Sequence, residues 1–235
     1  MSKMKTHSNI TSPQYHTAEL DQLLRENSRI MSIPAKTVFL EPGESMDGIY
    51  YIAKGRTRHY MVAHDGSEKV LYFLSEGWFF GETTCNLQKT TELFSKTDVD
   101  TVIYSIPMPV YWKLLSENDT FCNAIIESCC YKMLIMKHEI ASLSFNSCRY
   151  RLQYLFCTIA DTSRVVDGGW YDLRVTYSQN DICSIIGSAR VTVAKLMAEL
   201  CGEGFLRTIN RSTQINIQKY REFLDRANQL DTGDV

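Results

Sequence analysis

The pattern of hydrophobic and polar positions divides the chain into three parts, and the first part has a strand-like pattern. Between residues 38 and 107, short β-branched and aromatic runs are separated by Gly, Pro and Asp-Gly pairs. The runs are TVFLEPGES, GIYYIAKG, RTRHYMVA, SEKVLYFL and DTVIYSI, with a turn at His64-Asp65-Gly66. Their spacing predicts a small antiparallel β-barrel or jelly roll with an interior large enough for a ligand.

The second part is predicted to contain long helices, because residues 110–166 include no Gly or Pro. Apolar side chains recur there at steps of three and four residues. They are Phe121, Ile125, Cys129, Met133, Met136, Ile140 and Leu143. This stripe packs either against the barrel or against a second copy of itself in a dimer. Periodicity alone leaves both open and slightly favours packing within one chain, since most apolar stripes are core.

The third part begins near Ser147 with the amphipathic segment CRYRLQYLFCTIA, whose apolar side holds Leu152, Leu155, Phe156 and Ile159. A turn at residues 167–169 and a strand candidate, WYDLRVT, come next. The later FLRTINRSTQINI alternates and predicts a hairpin, or wing, and QKYREFLDRANQ predicts a last surface helix.

Two short helices joined by a glycine turn are predicted between these segments. Ser178 and Asp181 have the spacing of a capping box at the start of QNDICSII, and Gly187 ends that helix. Ser188 is expected to cap the second helix, ARVTVAKLMAEL, which ends near Gly202. The pair predicts a helix-turn-helix.

Composition and charge limit the classes of function. With 44% hydrophobic and 22% charged residues, the chain is an ordinary globular protein, and no apolar stretch is long enough to span a membrane. The first sixteen residues lack an apolar signal core, so we expect a polar, frayed leader on a cytoplasmic protein. The eight cysteines include no Cys-x-x-Cys pair, and neither a metal nor a cofactor is expected.

The helix-turn-helix indicates DNA binding, although such helix pairs also occur as scaffolding. The net charge is -2, and residues 148–235 carry 11 Lys and Arg against 10 Asp and Glu. DNA binding must therefore come from a few well-placed groups. We expect Arg190 and Lys195 to reach guanine edges or phosphates and Val191 to meet a thymine methyl group. Ser188 and Thr192 are expected to bond phosphates.

The order of barrel, long helix and winged helix-turn-helix resembles the cyclic-AMP receptor and fumarate-nitrate regulator (CRP/FNR) family of transcription factors. The motifs that carry the resemblance are GIYYIAKG at 48–55, DGSE at 65–68, GWFFGE at 77–82, ICSIIG at 182–187 and ARVTVAK at 189–195. The resemblance implies an α+β fold with an effector-sensing barrel at 1–108, a dimerisation helix at 109–146 and a winged helix-turn-helix domain at 147–235.

The resemblance also implies partners. It implies a homodimer formed through the long helix, against the slight preference from periodicity, and no enzymatic activity. Two recognition helices are expected to enter successive major grooves of palindromic double-stranded DNA, about 34 Å apart. RNA polymerase is a further partner if the protein activates transcription.

Departures from the family pattern narrow the effector. Members that bind cyclic nucleotides follow the Gly-Glu pair with Arg-Ser, and this chain has Glu92-Leu93-Phe94-Ser95 there. Iron-sulfur members carry cysteines before the barrel, whereas the first cysteine here is Cys85. Haem-binding members need an axial histidine, for which His59 and His64 are candidates. These departures argue against a cyclic nucleotide or a cluster.

The chain is most similar to the halorespiration regulators, which sense ortho-halogenated phenols with a strand Tyr and a Lys of the long helix. The matching positions are Tyr72 and Lys132. This pair is expected to favour an ionised halophenol over its dehalogenated product, because a cation and a hydroxyl stabilise the phenolate. Glu82 stands where some members have a Lys and would repel a ligand carboxylate. Asn86 and Gln88 are possible neutral contacts.

The DNA-reading face departs from the family as well. Val191 occupies the position of a Glu that accepts from cytosine, so we expect an A/T-rich half-site with thymine facing Val191. Lys195 is expected to read guanine more weakly than an Arg.

Two alternative functions stay open. One is a regulator of the same fold that senses redox state, gas through haem or another small molecule. The other, less favoured, is a cupin-like enzyme, which would need a His-x-His pattern that the chain lacks.

Overall fold

The structure is a computed structural model that describes residue 13, residues 15–210 and residues 212–231. The chain divides into two compact units, residues 1–140 and 141–235. The predicted boundary after residue 146 falls between two helices and the one after residue 108 falls one residue inside a helix, whereas the division of the units falls inside the long helix Asp119–Phe145. The three-part division of the chain stays a prediction.

The first unit contains two four-stranded antiparallel sheets. Its strands are β1 Arg29–Ile33, β2 Val38–Leu40, β3 Gly48–Lys54, β4 Arg56–Val62, β5 Glu68–Ser75, β6 Phe79–Phe80, β7 Phe94–Thr97 and β8 Thr101–Pro107. The sheet orders are β1-β8-β3-β6 and β2-β7-β4-β5. The predicted antiparallel barrel or jelly roll is therefore confirmed. Its helices are α1 Ala18–Glu26, α2 Glu82–Asn86, α3 Met108–Glu117 and α4 Asp119–Phe145, the last of which continues into the second unit.

Alternation along the strands builds two hydrophobic clusters. Phe79 belongs to one cluster, with Tyr51, Tyr104 and Phe121, and its neighbour Phe80 belongs to the other. Successive strand residues point to opposite faces, which places one cluster on each side of β6. The second cluster contains Ile33, Leu40, Ile52, Leu74, Trp78, Phe80, Ile103 and Ile135.

Five elements of this unit were missed by the sequence pattern: α1, β1, β6, α2 and β7. The leader prediction is also partly wrong. Residues 1–12 and 14 lie outside the described residues, but Tyr15 is buried and stacks on Phe79 with ring centroids 5.9 Å apart. His16 Nδ1 is hydrogen-bonded to the Tyr51 hydroxyl at 2.7 Å. This end of the leader packs on the barrel because its aromatic rings bury apolar area.

The predicted apolar stripe of α4 belongs to two faces of the helix. Phe121 and Ile125 are buried in the cluster around Phe79. Met133 and Ile140, by contrast, are 68% and 65% exposed. The sequence pattern had merged a face that packs on the barrel with a face that meets solvent in the single chain.

The second unit is helical with one antiparallel sheet. Its elements are α5 Cys148–Ile159, β9 Ala160–Val166, β10 Trp170–Leu173, α6 Gln179–Ile186, α7 Arg190–Gly202, β11 Leu206–Ile209, β12 Ser212–Asn216 and α8 Ile217–Asp231. The sheet order is β11-β12-β10-β9. The predicted helix pair, hairpin and last helix are all present, while β9 was not predicted.

The turn between α6 and α7 confirms one capping prediction and corrects another. Ser178 and Asp181 form the predicted capping box, and Gly187 ends α6 in the left-handed conformation with φ 64°. Ser188 is not the cap of α7. Ala189 occupies that position without a side-chain cap, and the Ser188 backbone N–H donates to the Cys183 carbonyl at 3.1 Å.

Among the described helices, none combines the length and the apolar character that a membrane crossing requires.

Candidate functional site

An aromatic cluster in the first unit surrounds the candidate effector residues. We define it as His59, Tyr72, Trp78, Phe80 and Tyr131. The His59 ring lies 5.2 Å from the Tyr72 ring and 5.1 Å from the Phe80 ring, and the Trp78 ring lies 6.0 Å from the Tyr131 ring, as centroid distances. The strands β4, β5 and β6 supply His59, Tyr72 and Phe80, the turn before β6 supplies Trp78, and α4 supplies Tyr131. The arrangement suits a flat aromatic partner.

His59 is held neutral inside the barrel. Its Nε2 is hydrogen-bonded to the Thr57 hydroxyl at 3.0 Å and its Nδ1 to the Ser95 hydroxyl at 2.9 Å. Burial, together with a smaller effect of the nearby Lys132 charge, lowers the pKa of His59 to about 3. Both ring nitrogens are engaged, so His59 has no nitrogen available for an axial bond to haem in this conformation.

His64, the other histidine considered for haem, is exposed next to the turn at Gly66. In the described part of the chain, no group of three or more His, Cys, Asp or Glu residues is arranged to hold a metal ion.

Lys132 forms a buried ion pair with Glu82. The Lys132 Nζ lies 2.6 Å from each carboxylate oxygen of Glu82 and also donates to the Phe79 carbonyl at 2.6 Å. Glu82 is 3% exposed and accepts a further hydrogen bond from the Ser128 hydroxyl at 2.7 Å. Mutual attraction and these hydrogen bonds offset the cost of burying both charges.

The two residues predicted to hold a phenolate, Tyr72 and Lys132, both lie near His59. The ring of Tyr72 contacts His59, and the charge of Lys132 lowers the pKa of the same imidazole. Burial raises the pKa of the Tyr72 hydroxyl, and the charge of Glu82 raises it further. The resemblance implied that Tyr72 and Lys132 act together, and Glu82 was expected to repel a ligand carboxylate. The sequence did not predict that Glu82 takes up the donors of Lys132.

The predicted neutral contacts lie elsewhere. The amide of Asn86 donates to the Tyr111 hydroxyl at 2.9 Å, and Tyr111 belongs to the cluster around Phe79. Gln88 is exposed in the turn after α2, where its φ is 52°. Neither side chain is a member of the aromatic cluster: Asn86, the last residue of α2, is directed toward Tyr111, and Gln88 follows the helix.

Trp78 contributes a polar atom that sequence reasoning missed. The residue is 1% exposed, and its Nε1 has no hydrogen-bond partner among the described residues. Buried donors are nearly always paired, so this indole is suited to a ligand that brings an acceptor. The GWFFGE motif was the signal that could have identified it.

The second candidate surface is the start of α7. Arg190, Val191, Thr192 and Lys195 are exposed, Val191 by 82%. The opposite side of the helix buries Val193 and Leu200 in the second unit. Amphipathic spacing therefore turns all four predicted α7 contacts outward. Ser188, the fifth predicted contact, is half-buried in the turn before the helix.

Two arginines of α5 hold this helix pair in place, a role that the sequence did not reveal. Arg149 pairs with Glu199, at 3.4 Å, and with Glu203 at the other end of α7. Arg151 donates to the Ile186 carbonyl at 3.0 Å, where α6 ends. The Arg149 pairs occupy two acidic groups near the C-terminus of α7, one of which, Glu199, also lies 4.0 Å from Lys195.

Comparisons with known proteins agree with this architecture. Residues 30–118 match the cyclic nucleotide-binding domain family. The chain is 21% identical over 198 residues to the cAMP-activated global transcriptional regulator CRP of Haemophilus influenzae, covering 81% of this chain and 87% of that protein.

Solved structures share the fold. The c-di-GMP responsive global regulator CLP of Xanthomonas campestris aligns with a TM-score of 0.74 and 18% identity, covering 83% of this chain and 97% of that one. The OCPA complex of CprK aligns with a TM-score of 0.64 and 18% identity, covering 86% and 92%. In sequence and in fold, the chain is therefore similar to transcription regulators of the CRP/FNR family, and its barrel matches the cyclic nucleotide-binding domain.

Proposed function

We propose that the chain is a homodimeric, sequence-specific DNA-binding transcription regulator whose activity is gated by a small aromatic effector. The observation that carries the proposal is the exposed face of α7. Arg190, Val191, Thr192 and Lys195 point outward from the second helix of a helix-turn-helix. The relatives named as transcription regulators and the shared fold support the same function.

The composition of this face predicts what it reads. Arg190 supplies a fork of donors for guanine or phosphate, and Val191 offers only apolar contact, which fits a thymine methyl group. Lys195 is 76% exposed and only loosely paired with Glu199, at 4.0 Å, so its ammonium is available to DNA. We infer an A/T-rich half-site repeated in a palindrome.

Selection of bound sequences from random double-stranded DNA tests this reading. We expect a palindrome whose half-sites have an A·T pair opposite Val191. The variant Val191→Glu is expected to shift the preference at that position toward cytosine, because a carboxylate accepts from the cytosine amino group. An essential G·C pair at that position in the sites of the wild type would contradict the assignment.

The exposed stripe of α4 supports a dimer with a second copy. Its members repeat at alternating steps of four and three residues, the pattern of a two-stranded coiled coil. They are Cys122, Ile126, Cys129, Met133, Met136, Ile140 and Leu143, of which Cys122, Cys129 and Met136 are half-buried in the single chain. Ile126, Met133 and Ile140 occupy equivalent positions one heptad apart, and each is at least 54% exposed in the single chain.

Sedimentation tests the dimer. Met133→Lys combined with Ile140→Lys places like charges in the interface, and we expect a monomer. Glu127→Lys adds the same charge at an exposed position of the same helix outside this repeat and serves as the control. An unchanged dimer in the double variant would place the interface elsewhere.

The effector that we propose is a halogenated phenol or a related small aromatic molecule. The aromatic cluster offers stacking partners. Its member Tyr72 supplies a hydroxyl, and Lys132, whose charge acts on His59, supplies a cation. An effector acts by binding one conformation of the regulator better than the other, with a coupling of about 1–3 kcal/mol. Lys132 lies on α4, the predicted dimerisation helix, so we place the contact that differs between the two conformations at Lys132.

Thermal shift with halogenated and plain phenols tests the effector class, since a specific ligand raises the melting temperature. We expect a shift for wild type, a smaller one for Tyr72→Phe and none for Lys132→Met. The dimer should persist in Lys132→Met, because Lys132 is not in the exposed stripe. An unchanged dose response in that variant would remove Lys132 from the effector site.

A further inference from the structure

The Lys132 ammonium has no donor left for a ligand. An ammonium group carries three N–H donors, and the three acceptors around this one are Glu82 Oε1, Glu82 Oε2 and the Phe79 carbonyl, each at 2.6 Å. Only 14% of the Lys132 side chain is exposed, so water does not compete strongly for it. A ligand oxygen that approaches Lys132 must therefore replace one of these acceptors.

The acceptors differ in how easily they can be replaced. The Phe79 carbonyl belongs to strand β6, whose backbone is fixed by pairing with Tyr51 of β3. The Glu82 carboxylate is at the end of a flexible side chain on the first residue of α2, a helix of five residues. Rotation of this one side chain vacates two of the three bonds, whereas moving the Phe79 carbonyl would require the backbone of the paired strand β6 to shift.

The same carboxylate also occupies a second donor. Ser128, fully buried one helical turn before Lys132, donates its hydroxyl to Glu82 Oε1 at 2.7 Å. When the carboxylate leaves, one hydroxyl and one ammonium on the same face of α4 become available together. Such a pair of donors suits a single anionic oxygen.

We propose that Glu82 is an internal competitor of the ligand. In the unliganded protein its carboxylate occupies the place on Lys132 and Ser128 that a ligand anion takes in the bound state. The site then accepts ligands with a compact anionic oxygen, such as a phenolate. Neutral phenols bind less well, because they cannot displace a charged acceptor from a buried ammonium. This inference rests on the proposed effector site and adds the residue that determines which charge the site accepts.

The affinity of Glu82→Gln for ionised and neutral aromatics tests the inference. The probes are trichlorophenol at pH 8, where it is ionised, phenol at the same pH, where it is neutral, and benzoate. Calorimetric titration of Glu82→Gln should show trichlorophenolate binding at least about tenfold tighter than in wild type, with phenol little changed. Glu82→Gln combined with Lys132→Met should lose this gain, because no cation remains.

Two further variants guard against loss of folding and against a general charge effect. Glu82→Asp keeps the charge but shortens its reach, and an intermediate gain in affinity is expected. Glu68→Gln removes an exposed carboxylate from β5 of the same unit and should leave all affinities unchanged. A thermal melt of each variant establishes that it is folded before titration.

Each outcome of these titrations either supports or overturns the inference. Unchanged or weaker trichlorophenolate binding in Glu82→Gln and Glu82→Asp would overturn the inference and make Glu82 a structural or direct ligand contact. If Glu82→Gln binds trichlorophenolate or benzoate while wild type binds none of the three probes, the competitor is established and the proposed phenol effector is wrong for the native chain. If no variant binds any of the three probes, the inference is rejected, while DNA selection judges the regulator function independently.

Discussion

The two units of this chain handle charge in opposite ways. In the barrel, the cations that lie near the interior are already paired with anions of the same chain, Lys132 with Glu82 and Arg58 with Asp98. On α7, Arg190 and Lys195 face solvent. The contrast indicates that a barrel ligand has to exchange for an internal partner. DNA, by contrast, meets cations that need only lose water and counterions.

Because of this difference, substitutions of the buried charges should change the stability of the fold, and substitutions of the exposed cations should change the affinity for a partner. Removing one member of a buried pair leaves an uncompensated charge in a medium of low polarity, so the fold itself suffers. Removing an exposed cation costs the fold little, and its effect appears in the affinity for the partner. The predictions below test this separation, beginning with the largest effect.

Asp98→Ala should produce the largest loss of stability. The Asp98 carboxylate accepts from Arg58 Nε at 2.6 Å and from Arg56 Nε at 3.0 Å. Its removal takes this partner from a buried guanidinium, at a cost of about 3–5 kcal/mol in the free energy of unfolding. Urea unfolding measures the effect, with the exposed Glu92→Ala as the control. A loss below about 1 kcal/mol would show that the buried pairs are not what distinguishes the barrel.

His59→Gln should remove a pH dependence of stability. The folded protein binds a proton at His59 only near pH 3, whereas the unfolded chain binds one below about pH 6.5. Stability therefore falls as pH drops from about 6.5 toward 3, by about 2 kcal/mol at pH 5. Urea unfolding at pH 7.5 and pH 5 should show this loss in wild type and in His64→Gln, but not in His59→Gln. Equal losses in all three proteins would place the titrating group elsewhere.

Arg190→Ala should weaken DNA binding without weakening the fold. Loss of a base or phosphate contact costs about 1–3 kcal/mol, or roughly tenfold to a hundredfold in affinity. The melting temperature should stay within the range of other surface substitutions. A titration with a selected DNA site measures the affinity, and Arg226→Ala on α8 is the matched control. Equal losses in both variants would indicate general electrostatic attraction with no specific role for α7.

Ser178→Ala should produce the smallest effect. It removes the capping box that begins α6, and such caps contribute about 1 kcal/mol. Ser188→Ala is the control, because Ser188 does not cap α7, and it should cost less than about 0.5 kcal/mol. Thermal unfolding of the two variants compares them. A larger loss in Ser188→Ala would mean that the cap predicted from the sequence forms in solution.

The sequence predicted the elements with strong local signals. Asp-Gly and Gly turns marked the long strands of the barrel, and a cap of Ser and Asp with a terminal Gly marked the helix-turn-helix. Strand β6 escaped notice because it contains only Phe79 and Phe80. Strand β1 escaped because four of its five residues are exposed and it pairs with the distant β8. Such strands are determined by tertiary pairing, which local pattern does not record.

The sequence predicted the exposed face of α7 more completely than the contacts of the barrel site. The exposed face of α7 follows from helical spacing alone, so the side chains of Arg190 and Lys195 were expected where they are. In the barrel, the resemblance identified Tyr72 and Lys132. The partners of Lys132 come from Glu82, 50 residues away, and from a backbone carbonyl. A contact at that separation depends on how α4 packs on the barrel, which spacing along the chain does not report.

The two hydroxyls bonded to His59 affect how ligand binding in the barrel depends on pH. An imidazole fixed between Thr57 and Ser95 keeps the same charge throughout the range of pH in which cells live. If a halophenol binds in the barrel, as proposed above, it meets an imidazole that stays neutral, and the acidity of the halophenol itself decides how strongly it is bound. Any change of ligand binding with pH in this range would then come from ionisation of the ligand and not from His59.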